Sequence, residues 1–265
     1  MKKIGFIGAG NMGGALARAV AKSANKVYIS DADENKARAL ACEVGGEVLD
    51  SVGIVAECDM IFLGVKPQIL PLLAGEIKAS LDGRKGDFCL VSMAAGVRLE
   101  RLSELFGDLK FIRIMPNTPA SVGAGVILYA LGKKACGEDE KLLCEALSQA
   151  GSLNRLDEKL IDAATAVSGC GPAFAYMFIE ALADGGVKCG LPRDKAQKFA
   201  AEMLLGSAKL CLESDKHPGE LKDAVCSPGG STIAGVAALE ECGFRGSVID
   251  AVEAAFERTK ELSGD

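Results

Sequence analysis

The segment Gly8-Ala9-Gly10-Asn11-Met12-Gly13 has the residue types and spacing to hold the pyrophosphate of a dinucleotide. It follows a short apolar run, Ile4-Gly5-Phe6-Ile7, and opens an Ala/Leu-rich stretch that reads as a helix ending near Ala24. In such a strand–turn–helix unit Gly8 permits the tight turn, Gly10 lets the backbone approach the phosphates, and Gly13 lets helix and strand pack closely. The N–H groups left free at the helix start then meet the phosphates. GxGxxG alone is a weak signal, but a second strand, Lys26 to Asp31, follows where the unit requires it. A nicotinamide or flavin dinucleotide site is therefore expected. Ser30 and Asp31 end that strand about 20 residues past the turn, where an acidic side chain accepts from a ribose 2′-hydroxyl. The same carboxylate repels the 2′-phosphate of NADPH, and no Arg lies in residues 30–35. Lys36 and Arg38 sit one turn into the next helix, within reach of a phosphate. The expectation is use of both NADH and NADPH, tilted to NADH.

Three further segments leave the ends of apolar strands, where ligands of open α/β sheets bind. Gly64-Val65-Lys66-Pro67 turns because Pro67 cannot continue a ladder. Ser92-Met93-Ala94-Ala95-Gly96 offers small residues that allow close backbone approach. Met115-Pro116-Asn117-Thr118-Pro119 is a stiff loop holding an amide and a hydroxyl. Beyond them, Ser168-Gly169-Cys170-Gly171-Pro172 and Ser227-Pro228-Gly229-Gly230-Ser231-Thr232 each open a helix. A glycine-rich helix start supplies free N–H donors for an anion such as a carboxylate, and Ser231 and Thr232 add hydroxyls. The competing structural account is N-capping by Ser227, Ser231 or Thr232.

The elements that must position these segments fall into two sets. Up to about residue 156, apolar strands at Met60–Val65, Phe88–Ser92, Phe111–Met115 and Gly125–Ala130 alternate with helix-length segments. A helix near Glu138–Gln149 and a strand at Ser152–Leu156 close the series. This pattern predicts a parallel sheet covered on both faces. From residue 157 the strand signals stop, and helices are predicted over 158–167, 172–188, 193–213, 216–225, 230–242 and 245–262. The expected organisation is a Rossmann dinucleotide-binding domain over 1–156 and an all-α domain over 157–265. Helix 172–188 is apolar nearly all round, so it must be buried on every side. A small helical domain cannot cover it alone, which implies a second subunit over positions such as Phe178.

Composition narrows the classes. The net charge of -6 and scattered Lys and Arg argue against nucleic acid as a partner. Lys2-Lys3 is followed by too few apolar residues for a signal peptide, and no segment is expected to span a membrane. The ten cysteines form no CxxC pair, and His217 is the only histidine. No metal site is expected; reduced cytoplasmic thiols acting as small hydrophobes are. His217 itself reads as a surface residue at a helix entry.

Taken together, the Gly8–Gly13 turn, Val65-Lys66-Pro67, Ser92-Met93-Ala94-Ala95-Gly96-Val97, Met115–Pro119, Val167-Ser168-Gly169 with Gly171-Pro172-Ala173, and Lys222-Asp223 through Thr232-Ile233 resemble pyrroline-5-carboxylate reductase. The resemblance covers nearly the whole chain, and its Ser-Pro-Gly-Gly-Ser-Thr segment is far more specific than GxGxxG. It implies reduction of 1-pyrroline-5-carboxylate to L-proline with NADPH or NADH, the final step of proline biosynthesis. It also implies a dimerising helical domain, with dimers further assembled into a ring in many members. The implied cofactor residues are Gly8, Ala9, Gly10, Asn11, Met12, Gly13, Gly64, Val65, Lys66, Pro67, Met93, Ala94 and Ala95. Ser30, Asp31 and Asn117 join them from the strand-end positions above. A family position that often carries Asn beside the cofactor ribose is Ser51 here. The implied substrate residues are Ser227, Gly230, Ser231 and Thr232, with the Thr232 hydroxyl holding the ring nitrogen. Two alternatives stand beside this one. A 3-hydroxyacid dehydrogenase of the 6-phosphogluconate type wants a lysine in the helix after Ser168-Gly169, and residues 172–184 contain none. A non-catalytic dinucleotide sensor has no use for Gly229-Gly230-Ser231-Thr232 beside a rigid Pro228.

Overall fold

A computed structural model describes residues 1–23 and 25–263; Ala24, where the pattern ends the first helix, lies outside them. The chain opens with β1 (Lys3–Ile7), α1 (Asn11–Ala21), β2 (Lys26–Ser30), α2 (Glu34–Val44), β3 (Glu47–Val48), α3 (Ser51–Glu57) and β4 (Met60–Leu63). A 3-10 turn at Pro67–Ile69 leads into α4 (Leu70–Gly83), β5 (Cys89–Ser92), α5 (Leu99–Phe106) and β6 (Phe111–Met115). A second 3-10 turn, Thr118–Val122, precedes β7 (Gly125–Leu131), α6 (Gly137–Leu147), β8 (Gly151–Arg155) and α7 (Glu158–Ser168). The rest is helical: α8 (Gly171–Lys188), α9 (Arg193–Glu213), α10 (Pro218–Ala224), α11 (Ser231–Glu241) and α12 (Phe244–Ser263).

The eight strands form one sheet in the order β3-β2-β1-β4-β5-β6-β7-β8. Strands β1 to β6 run parallel, as the apolar runs predict. The expectation of a wholly parallel sheet fails at β7, which pairs antiparallel with β6 and parallel with β8. The reason is the link at 116–124, which holds only a 3-10 turn. A parallel return needs a crossover of a dozen or more residues. Alternation along the central strands feeds two apolar layers. Phe6 stacks on Phe62 at 4.6 Å on one face, packed among Leu16, Val20, Leu40 and Leu143. Ile7, Ile61 and Leu63 point to the other, against Ile54, Leu73, Ile77 and Leu102. The strand order reverses at β1, between β2 and β4, so a ligand crevice opens where Ile7 and Leu63 end.

Packing divides the chain into a unit of Met1–Cys170 with the segment from Ala255 on, and a second unit, Gly171–Ala254. The strand signals place a boundary at 156/157, whereas by packing α7 goes with the sheet. Ile161, Thr165 and Ala166 of α7 are buried, and Arg113 on β6, 2% exposed, reaches Asp162 of the same helix at 2.6 Å.

The second unit has little interior of its own. Among its described residues the fully buried apolar side chains are Ala183, Ala196 and Ala200. Tyr176, Met177, Phe199 and Leu205 stand exposed, and Leu212 is 88% exposed. Phe178, a position predicted to lie under a second copy, is partly exposed and packs on Phe244 of its own unit at 5.8 Å. One helical stretch, Glu158–Lys188, is long and apolar enough to cross a membrane by length and composition only. It is broken into α7 and α8, and α7 buries Asp162 against Arg113. His217 sits at the N-cap of α10, where Nδ1 accepts from the Gly219 N–H at 3.1 Å.

Candidate functional site

The turn between β1 and α1 is built by glycine for three separate reasons. Gly8 has φ +113°, and a Cβ there meets the Gly64 carbonyl oxygen at 2.5 Å. A Cβ on Gly13 meets the Gly8 oxygen at 2.2 Å, so the first turn of α1 rests on the strand exit. A Cβ on Gly10 meets nothing within 4 Å. Two glycines are thus demanded by the protein's own packing, while Gly10 fronts open space. Gly10 is also the N-cap of α1, with no side-chain cap and no acidic residue in the first turn. The free N–H groups there form a positive helix end suited to phosphate. The neighbouring helices differ: Asp33 caps α2, and Asp50 caps α3 through the Gly53 N–H.

Beside this turn lies a cavity of about 910 Å³ lined by Gly8, Gly10, Ser30, Asp31, Ser51, Gly64, Val65 and Lys66, all predicted cofactor residues. Ser30 and Ser51 are buried with their hydroxyls 3.4 Å apart. Asp31 accepts from the Ala9 N–H at 2.7 Å and from the Asp33 N–H at 2.9 Å, tying the end of β2 to the glycine turn. Sequence patterns did not single out Glu34, Asp50, Leu72 or Glu76, which line the same cavity. Leu72 is 72% exposed, an apolar side chain on the cavity wall. The one available signal was its place a turn past Pro67.

The other strand exits divide. Ala9, Asn11, Met12, Gly13, Pro67, Met93, Ala94, Ala95 and Asn117 do not line this cavity. Pro67 starts the 3-10 turn before α4. Ala94 is buried, and its N–H donates to the Ser92 hydroxyl at 3.3 Å. Asn117 is 6% exposed; its Nδ2 donates to the Ser168 carbonyl at 2.8 Å and its Oδ1 accepts from the Val126 N–H at 2.9 Å. Its amide therefore holds the β6 exit loop between β7 and the last turn of α7. Arg113, which no motif marked, anchors the other end of that helix through Asp162 and, at 3.4 Å, Glu158. The available signal was a single charge inside the apolar run Phe111–Met115.

In the second unit, Ser227-Pro228-Gly229-Gly230 forms a tight turn in which the Gly230 N–H donates to the Ser227 carbonyl at 3.0 Å. Proline second and a glycine at φ +68° third is the pattern of a type II turn. A Cβ on Gly230 meets the Ser227 Oγ at 2.4 Å. Gly230 is the N-cap of α11, again with no side-chain cap and no acid in the first turn. The capping account therefore does not describe this end. Ser231 and Thr232 are exposed at the first two helical positions. Nearby, Lys222 lies 2.6 Å from Asp223, which holds its pKa above the ordinary lysine value. Helices α1 and α11 thus share one device: a glycine N-cap, no side-chain cap and no acid in the first turn.

A doubly wound sheet with a glycine turn at its switch point, followed by a helical unit, defines a nucleotide-dependent oxidoreductase. Residues 3–96 match the family model described as NADP oxidoreductase coenzyme F420-dependent, and 158–262 match pyrroline-5-carboxylate reductase dimerisation. Pyrroline-5-carboxylate reductase of Pisum sativum is 44% identical over 98% of this chain and 96% of its own length. Pyrroline-5-carboxylate reductase 2 of Homo sapiens is 44% identical over 98% of this chain and 83% of its own. The crystal structure of Plasmodium falciparum pyrroline carboxylate reductase with NADP bound superposes with a TM-score of 0.88 at 33% identity, covering 99% of this chain and all of that one. This chain belongs to the pyrroline-5-carboxylate reductase family.

Proposed function

We propose that this protein reduces 1-pyrroline-5-carboxylate to L-proline with NAD(P)H, the last step of proline biosynthesis. The observation that carries this beyond family membership is the pair of uncapped, glycine-started helices in one chain. One suits a pyrophosphate, and the other suits a small carboxylate with a hydroxyl beside it. The residues at the first fit a dinucleotide: Gly10 leaves room for phosphate, and the start of α1 has donors to spare. When bound, NAD(P)H supplies the hydride that the ring carbon accepts.

The chain's own contribution is positioning. The N–H groups opening α11 bind the substrate carboxylate, and the Ser231 and Thr232 hydroxyls fix its orientation. Thr232 holds the ring nitrogen, which is already protonated in the iminium form and makes the adjacent carbon electrophilic. No strong acid is then required, consistent with a site whose side chains are hydroxyls rather than a His or Lys acid–base pair. Placement of the ring is the main catalytic device. Ser227 and Gly230 keep the turn that presents these groups. Ala9, Asn11, Met12, Pro67, Met93, Ala95 and Asn117 complete the dinucleotide side through backbone contacts and loop geometry.

The protein works as a homodimer, because a unit whose buried apolar residues are three alanines cannot stand alone. The exposed apolar faces of α8, α9 and α12 supply the missing cover. The ten free cysteines accord with a cytoplasmic, reducing location. A substrate panel tests the function. NAD(P)H absorbance should fall with 1-pyrroline-5-carboxylate and stay flat with 3-hydroxyacid dehydrogenase substrates supplied with NAD(P)+. Turnover of a hydroxyacid but not of the imine would overturn the proposal.

A further inference from the structure

We infer that the cavity beside the glycine turn selects against a 2′-phosphate, making NADH the preferred donor; this rests on the dinucleotide reading of that turn. The carboxylate of Asp31 is not a swinging side chain. Its two oxygens are pinned by the Ala9 N–H at 2.7 Å and the Asp33 N–H at 2.9 Å, fixing it at the end of β2 on the cavity wall. A carboxylate has about four acceptor sites, so two N–H bonds leave capacity for a ribose hydroxyl.

The two nearest cations on α2 are each paired with an acid in exposed ion pairs. Arg38 donates to Glu34 at 2.5 Å, and Lys36 lies 3.7 Å from Asp33. The cavity wall carries the acids Asp31, Glu34, Asp50 and Glu76 against one base, Lys66. A doubly charged phosphate placed beside that wall meets like charge at close range, and a 2′-hydroxyl meets an acceptor.

Calorimetric binding of NADH and NADPH to the purified full-length protein tests this without turnover. NADH should bind at least tenfold more tightly than NADPH. Asp31→Asn keeps an oxygen acceptor for one of the two pinning N–H groups, removes the charge, and should narrow the ratio at least fivefold. Glu34→Gln releases Arg38 and should narrow it independently. Equal or tighter NADPH binding by the wild type, or a ratio that neither variant changes, overturns the inference while leaving the reductase reading intact. Binding of neither dinucleotide fails the glycine-turn reading itself, and the inference falls with it.

Discussion

Replacing Arg113 with Met should strongly destabilise the sheet unit. The guanidinium is 2% exposed, 2.6 Å from Asp162 and 3.4 Å from Glu158, whose carboxylate also accepts from the Leu99 N–H at 2.7 Å. With charge centres ~4 Å apart and an effective dielectric near 20, the attraction is about 4 kcal/mol. Desolvating both ions offsets most of that when the pair forms, so the pair adds little net stability. Removing one partner is different: Asp162 stays buried without its counter-ion, which costs about 3–5 kcal/mol. For a chain of this size each kcal/mol lowers Tm by about 2–4 °C, so Arg113→Met should melt ~6–20 °C lower. Thermal unfolding by circular dichroism at fixed protomer concentration measures it. The double variant Arg113→Met with Asp162→Leu should recover most of the loss, since no charge is then stranded. A single variant within about 2 °C of wild type, or a double variant no more stable than the single one, refutes this reasoning.

Thr232→Ala should keep the fold and dinucleotide affinity but lower kcat/KM roughly 10- to 100-fold, about 1.4–2.7 kcal/mol of transition-state binding; an unchanged value removes Thr232 from the site. Met177→Glu places a charge on an exposed apolar position of α8 and should yield monomers by light scattering, whereas a wild type already monomeric at micromolar concentration refutes the dimer. Burial raises the Cys58 thiol to about 12 and pushes Cys89 further up, so both should resist alkylation in the native state while exposed Cys42 and Cys136 react. Burial opposes the charge on Asp139, but the Cys136 N–H and thiol and the Lys110 ammonium outweigh it and hold its pKa below the ordinary value. That stabilisation is present above about pH 3.9 and lost as pH falls through the lowered pKa. Asp139→Asn should therefore melt lower than wild type at pH 7, with the gap closing in acid.

The sheet was legible because β1, β4, β5 and β6 are buried on both faces and read as mostly apolar runs. The two-residue β3, exposed at the sheet edge, carries no such signal and went unseen. The antiparallel turn at β7 was hidden for another reason: direction depends on the length of the link, and the prolines at 116 and 119 marked a stiff loop without fixing where it led. Of the site, the glycine turn and the Ser227–Thr232 turn were readable, since both need glycine at set positions. The roles of Asn117 and Arg113 were not, because their partners at Ser168 and Asp162 lie about fifty positions away in sequence.

The most direct measurement of the central claim is L-proline formed per NAD(P)H consumed, by amino-acid analysis, with 1-pyrroline-5-carboxylate as the only substrate. One proline per dinucleotide oxidised is the predicted result, with the yield falling in step with the rate in Thr232→Ala. NAD(P)H consumed without proline, or 1-pyrroline-5-carboxylate left unchanged by the folded dimer, contradicts the account.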